Sequence, residues 1–238
     1  MKPNPETAET AKKNAAQEAV KHVTNHSIIG LGSGTSAAIA IEMIGEKTKR
    51  ENLSVMGIPT STQAFLLAVK NQIPVTTLDE HPTIDLTIDG ADQVDPTLNL
   101  IKGMGAALTR EKIVASASKL NIIVADDSKK VTILGEKNHP VPVEVVPFAI
   151  QSVKQKLEHM GATPVLRESK GKLGPVITDN GNMVIDTAFG LIEDPTTLAI
   201  KVKMIPGVVE TGLFVGLADI AIFGSHSGTT IIDRRRRQ

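Results

Sequence analysis

The 238-residue chain contains no cysteine, tryptophan or tyrosine and only five phenylalanines. Without cysteine, a disulfide framework, a thiol nucleophile and a cysteine-ligated zinc site are impossible. So few aromatic rings argue against a stacking platform for nucleic-acid bases. There is also no signal-peptide pattern and no unbroken apolar run near the length of a membrane span, so no membrane segment is expected and a cytoplasmic location is. Excess charge of either sign is missing as well: 26 basic residues balance 26 acidic ones. That balance excludes a general attraction to nucleic acid or anionic lipid. What is present, 41% hydrophobic and 22% charged residues, is the composition of a globular protein with a sizeable core in one large or two small domains.

The first half reads as a helix followed by repeated strand–helix units. Asn4-Pro5-Glu6 offers a cap, a first-turn proline and an early acid, and alanines and valines at 8, 11, 15, 16, 19, 20 and 23 recur at helical spacing. His22 and His26 stand four apart and could share a helix face, but cationic side chains near a helix C-terminus are the simpler reading. Strand Ser27–Gly30 then enters Gly32-Ser33-Gly34-Thr35-Ser36, and a helix is expected over Ala37–Lys47. A glycine turn at a helix N-terminus offers amides, hydroxyls and the positive end of the dipole to a phosphate. No lysine follows the last glycine, as a nucleotide-binding P-loop requires, and Thr35 replaces the third glycine of a dinucleotide fingerprint. Leu53–Gly57 and Ile73–Thr76 read as strands. Between them Thr60-Ser61-Thr62 opens a helix running to Lys70, with more hydroxyls than capping needs.

The richest stretch is Ile84 to Lys112. Ile84–Asp89 alternates like a buried strand and stops in Asp89-Gly90-Ala91-Asp92, a turn with two carboxylates. A short strand ends at Lys102, and Gly103-Met104-Gly105 is a loop whose backbone can approach a ligand closely. In the helix that follows, Ile113, Val114, Ala117 and Leu120 form the expected apolar stripe. This puts Glu111 at its edge, Lys112 opposite, and Arg110 on the stripe, partly buried and paired. Carboxylates, an ammonium and a glycine loop so close together suit a proton-transfer site. Farther on, strand Leu120–Ala125 ends in Asp126-Asp127-Ser128-Lys129-Lys130.

These runs, Asp89-Gly90-Ala91-Asp92, Ile101-Lys102-Gly103-x-Gly105-Ala106-Ala107-Leu108-Thr109-Arg110-Glu111-Lys112 and Ala125-Asp126-Asp127-Ser128-Lys129, closely resemble those of the type A ribose-5-phosphate isomerases. The resemblance extends over nearly the full length. It implies an aldose–ketose isomerase that interconverts D-ribose 5-phosphate and D-ribulose 5-phosphate in the pentose phosphate pathway, as a homodimer or dimer of dimers, with no metal or cofactor. Glu111 would be the base that moves a proton between neighbouring carbons, and Lys102 would face the enediolate oxygen. Asp89 and Asp92 would handle protons on the sugar oxygens, and Lys129 would be a further contact. Ser33, Gly34, Thr35 and Ser36 would hold the phosphate, with Gly103 and Gly105 lining the substrate. Met104 departs from the glycine that many members carry there and could crowd the loop.

Texture changes near Gly135. The proline-punctuated His139–Pro147 suits an edge strand or a domain crossing, helices are expected over Phe148–Met160 and Pro195–Met204, and a strand over Pro164–Arg167. Asp179-Asn180-Gly181-Asn182 signals a hairpin, so its polar residues have a structural explanation. Ile205–Phe214 and Ala218–Gly224 should return the chain to the main sheet. The expected fold is α/β: a mostly parallel, Rossmann-like sheet with helices on both faces, formed by 1–135 and 205–238. A small inserted α+β subdomain over 136–204 would act as a lid or in oligomerisation. Arg234–Arg237 reads as a solvated tail. Other functions fit a similar site: an isomerase or deaminase for another sugar phosphate, of which the deaminase must release ammonia, and a sugar-phosphate sensor. No helix-turn-helix precedes Ser27, and a sensor does not need both Lys102 and Glu111.

Overall fold

The computed structural model describes residues 5–169, 171 and 173–237; the expected cap at Asn4 lies outside them. Among the described residues the α-helices, in chain order, are α1 Pro5–Val20, α2 Thr35–Glu51, α3 Thr62–Lys70, α4 Leu108–Ser116, α5 Ile150–His159 and α6 Pro195–Lys203. The strands are β1 Ile28–Leu31, β2 Met56–Pro59, β3 Leu86–Asp89, β4 Gln93–Val94, β5 Leu100–Ile101, β6 Asn121–Asp126 and β7 Val141–Val145. They continue with β8 Thr163–Leu166, β9 Met183–Ala188, β10 Val208–Thr211, β11 Leu213–Phe214, β12 Ile220–Ser225 and β13 Gly228–Asp233. The chain forms two compact units, Met1–Ala91 with Arg110–Lys130 and Leu217–Gln238, and Asp92–Thr109 with Val131–Gly216. The second is wider than 136–204: it runs from 131 to 216 and also takes in 92–109, the glycine loop included.

The first unit is a six-stranded sheet in the order β13-β12-β6-β3-β1-β2, parallel except where β13 folds back on β12. Its central strands are short, almost wholly apolar runs, as parallel strands covered on both faces must be. Alternation sends Ile29, Leu31, Leu86, Ile88, Ile122, Val124, Ile220 and Ile222 to one face, into a core shared with α1, α2 and α3. Ile28, Ile58 and Ile84 meet Val114 of α4 on the other. Gly30 faces that second side, where a Cβ would stand 2.6 Å from Val114 and 2.0 Å from Thr87 Oγ1. Asp85 ties two strand starts together. Its carboxylate accepts from the Ile28 amide at 3.0 Å and from Lys119 Nζ at 2.8 Å. The Lys119 ammonium, then the amide, hold its pKa below the ordinary carboxylate value.

The second unit contains an antiparallel sheet, β10-β7-β9-β8, and a three-stranded one, β11-β5-β4. Val143, Val145 and Ile185 of the larger sheet pack on Val153 and Leu157 of α5 and on Val202 of α6. β7 is therefore not an edge strand: it lies between β10 and β9 and is buried throughout. Its proline is tolerated because Pro142 lies past the last β10 pairing, at Val143, and its carbonyl, which shares an edge with the missing N–H, accepts from Gly212. Nor does all of 205–224 rejoin the parallel sheet. β10 and β11 pair antiparallel with β7 and β5, and only β12 returns.

Other expectations need adjustment. Val75 forms a single bridge with Gly57 instead of a strand, and β2 begins at Met56, three residues later than expected. α1 stops at Val20, so His22 and His26 share no helix face. The first two terminal arginines are not free: Arg234 pairs with Asp219 at 3.1 Å and Arg235 with Asp233 at 2.9 Å. Among the described residues no helix is long and apolar enough to cross a membrane.

Candidate functional site

In the first unit the expected residues gather at the carboxyl ends of the parallel strands. The chain leaves β1 for β2 on one side and later places β3 on the other, which makes the β1–β3 crevice a topological switch point, the usual ligand position in such sheets. Asp89 ends β3, is buried, and uses Oδ1 to accept from the amides of Ser33 at 3.1 Å and Gly90 at 2.7 Å. Gly32 must be glycine, because a Cβ there would stand 2.2 Å from that same oxygen. The strand bearing the first carboxylate thus shapes the glycine turn.

The rest of the turn is held by hydroxyls. Ser33 Oγ lies 2.7 Å from Thr60 Oγ1 and 2.6 Å from Ser61 Oγ, while Ser61 caps α3 through the Ala64 amide. This accounts for the surplus hydroxyls after β2. Gly34, at φ 90°, donates its amide to Gln63 Oε1 at 2.9 Å, and α2 begins at the next residue. Helix geometry leaves the amides of Thr35, Ser36 and Ala37 without intrahelical acceptors, and the dipole adds positive potential there. Lys12 of α1 donates to Thr35 Oγ1 at 3.0 Å and so brings a full charge to the turn. Sequence reading missed Lys12, whose only signal is its place beside Ala11 on an otherwise alanine-lined helix. Lys129 stands half-buried past the end of β6, in a turn capped by Asp126; its neighbour Lys130 is engaged by Asp127.

The second unit brings Asp92, Lys102, Gly103 and Gly105 together. β4 and β5 pair antiparallel, Gln93 with Ile101, so Asp92 and Lys102 leave the ladder side by side. The register is pinned by the turn between them, where Asp95 accepts from the Thr97 and Asn99 amides. Lys102 is 3% exposed, and its Nζ lies 5.4 Å from the centre of the Phe214 ring. Gly103 has φ 106°, and Met104 donates its amide to Asp92 Oδ2 at 3.1 Å. Met104 does not crowd the loop: its side chain is 44% exposed, and even Gly105 has open space where a Cβ would go.

α4 differs from its expected face. Leu108, Glu111 and Val114 are buried, while Ile113 is 49% exposed. Glu111 therefore belongs to the inward face, at 5% exposure, and Arg110 and Lys112 are half-buried beside it. The helix starts under a second carboxylate that sequence reading passed over. Glu144 of β7 is fully buried and accepts from Thr109 Oγ1, from Thr178 Oγ1 at 2.8 Å, and from the amide nitrogens of Asn180 at 3.1 Å and Asn182 at 2.9 Å. Four donors satisfy a charge that would otherwise be costly to bury, and the hairpin asparagines thereby acquire their structural purpose.

Sequence and fold comparisons bear on the family of this chain. Residues 56–228 match the family model described as ribose 5-phosphate isomerase A (phosphoriboisomerase A). The chain is 50% identical over 221 residues to the ribose-5-phosphate isomerase A of Methanothermobacter thermautotrophicus, covering 93% of this chain and 96% of the relative. It is 46% identical over 227 residues to that of Pyrococcus horikoshii, covering 95% and 99%. A solved ribose 5-phosphate isomerase A from Methanocaldococcus jannaschii superposes with a TM-score of 0.90 at 44% identity, over 93% of this chain and 97% of the other. A D-ribose-5-phosphate isomerase in complex with phospho-erythronic acid superposes at 0.93 and 46% identity, over 95% and 99%. With its glycine turn, its buried carboxylates and its buried lysine in the expected segments, the chain belongs to the ribose 5-phosphate isomerase A family.

Proposed function

We propose a division of labour for the reaction that family membership gives this chain, the interconversion of D-ribose 5-phosphate and D-ribulose 5-phosphate. The observation that carries it is the burial of Glu111 and Lys102, at 5% and 3% exposure, on segments where packing alone would choose apolar side chains. The Glu111 carboxylate takes the proton from C2 of the open-chain aldose, leaving an enediolate, and returns it to C1 to give the ketose. The Lys102 ammonium faces the negative oxygen formed in between. Asp89 and Asp92 attend to the protons on O1 and O2 and to ring opening. Ser33, Gly34, Thr35 and Ser36 receive the phosphate, with Lys12 adding charge, while Gly103, Gly105 and Lys129 contact the sugar phosphate. Phospho-erythronic acid, the ligand of the related structure, supports this chemistry: its carboxylate places two oxygens on one planar carbon, as the enediolate places them on adjacent ones.

The test is a direct assay with ribose 5-phosphate in the presence of a chelator. Ketose formation without ammonia is the expected result; ammonia release would indicate a deaminase, and binding without turnover a sensor. Within the same proposal the enzyme works in the cytoplasm, where phosphorylated sugars, charged at neutral pH, are retained by the membrane. It assembles as a homodimer or dimer of dimers, with residues 136–204 serving as a lid or in that assembly. Apolar side chains left to water support self-association, among them Phe65, Leu66 and Val69 on α3, at 44%, 61% and 55% exposure. Sedimentation equilibrium at the monomer mass would refute it.

A further inference from the structure

Arg167, just past β8, makes more bonds than the sheet around it requires. Nε donates to Asp186 Oδ2 at 2.8 Å and Nη2 to Asp186 Oδ1, a forked pair with the neighbouring strand β9. Nη1 then donates to two carbonyl oxygens of the glycine loop, Gly103 at 2.9 Å and Met104 at 3.0 Å. The Arg167 and Asp186 side chains are only 11% and 20% exposed. An arginine serving only to fix the β8–β9 register would be satisfied by Asp186, since the Arg167 amide already bonds the Val184 carbonyl. The same loop is gripped from its donor side by Asp92, through the Met104 amide. Gly103, at φ 106°, turns its carbonyl toward the guanidinium in a conformation that few other residues adopt. The two peptides held in this way, Gly103–Met104 and Met104–Gly105, begin one residue past Lys102.

We infer that Arg167 is a positioning residue. Its guanidinium fixes the Gly103–Met104 peptides, thereby sets the direction of the Lys102 side chain, and is itself aimed by Asp186. This rests on the proposed role of Lys102. A lysine cannot replace it, because one ammonium lacks the planar fork that serves a carboxylate and two carbonyls at once.

The test uses the full chain with Arg167→Met, Arg167→Lys and Asp186→Asn, measuring kcat and KM for ribose 5-phosphate, Tm, and inhibition by phospho-erythronic acid and by inorganic phosphate. The expected result for both Arg167 variants is a kcat lower by about 10- to 100-fold with KM changed less than threefold, as for a slightly misplaced catalytic group. Inhibition by phospho-erythronic acid should weaken in parallel while that by phosphate stays put. Asp186→Asn should give a smaller loss of the same kind, and it carries the test with Arg167→Lys if Arg167→Met does not fold. In a Lys102→Met background the further change Arg167→Met should leave kcat as it is. A lower Tm with unchanged kcat, a rise in KM alone, or a fully additive loss in the double variant would each overturn the inference. Near-normal turnover of Lys102→Met by itself would instead remove the reading of Lys102, so the two failures are told apart.

Discussion

The molecule has two glycine loops that lead into helices, and they are held differently. The Gly32–Ser36 turn is held at its start: hydroxyls of Thr60 and Ser61 hold the Ser33 side chain, the Ile88 carbonyl, Asp89 and Gln63 hold the amides of Gly32, Ser33 and Gly34, and α2 starts at Thr35. The next amides face forward with no acceptor of their own helix. In the Gly103–Gly105 loop the carbonyls of Gly103 and Met104 and the Met104 amide are tied back, by Arg167 and Asp92, and α4 begins only at Leu108. On the proposed reading the first loop offers its backbone to a ligand, whereas the second immobilises its backbone so that a neighbouring side chain can act. A glycine-rich signature alone does not separate an anion receptor from a mount; where its peptide groups are spent does.

If that contrast is right, damage at the second loop and its helix should appear in kcat and damage at the first in KM. The largest effect belongs to Glu111→Gln, for which steady-state kinetics should show kcat reduced by roughly 10²- to 10⁴-fold with substrate binding largely kept; near-normal turnover would dismiss Glu111 as the base. Lys102→Met should follow, with a kcat loss of roughly 10²- to 10³-fold. At the first loop, Thr35→Leu should raise KM about tenfold, equivalent to about 1.4 kcal/mol of binding, with kcat little changed; an unaltered KM would place the phosphate elsewhere. Gly32→Ala should raise KM too and cost about 1–3 kcal/mol of stability by crowding Asp89, read from denaturant unfolding. The smallest effect serves as a control away from both loops. Asp85→Asn should lower Tm at neutral pH by on the order of 1–2 °C and leave kinetics intact. Because folding depresses the Asp85 pKa, its contribution is complete above the unfolded value of about 3.9 and is lost as pH falls through the folded one. The Tm gap between wild type and variant should therefore close on acidification; a gap that widened would reverse the assignment.

Much of this was legible in the chain. The apolar runs of β1, β3 and β6, the glycine turn before α2 and the motif from Asp89 to Lys112 depend on neighbours in sequence, and local pattern finds them. What was misread depends on distant partners. β7 looked like an edge because of its prolines, yet only its pairing with β10 and β9 shows which edge Pro142 needs. Ile113 and Glu111 are two residues apart on a nine-residue helix, too short for periodicity to choose between two faces. Lys12 and Arg167 act on loops 23 and 64 residues away, and nothing local marks either as a partner.

The packing of α1 also bears on how the protein folds. This helix leans on β12 so closely that a Cβ on Gly224 would stand 1.7 Å from the carbonyl oxygen of Ala11. Yet β12 lies about 200 residues further along the chain than the helix it supports. Without β12, α1 would keep its packing on α2 and β6 but lose the strand that Gly224 lets it approach, and one edge of β6 would be bare. The first unit is therefore closed by a contact of very large sequence separation, the kind whose loop-closure cost must be met before the contact rewards it and which slows folding.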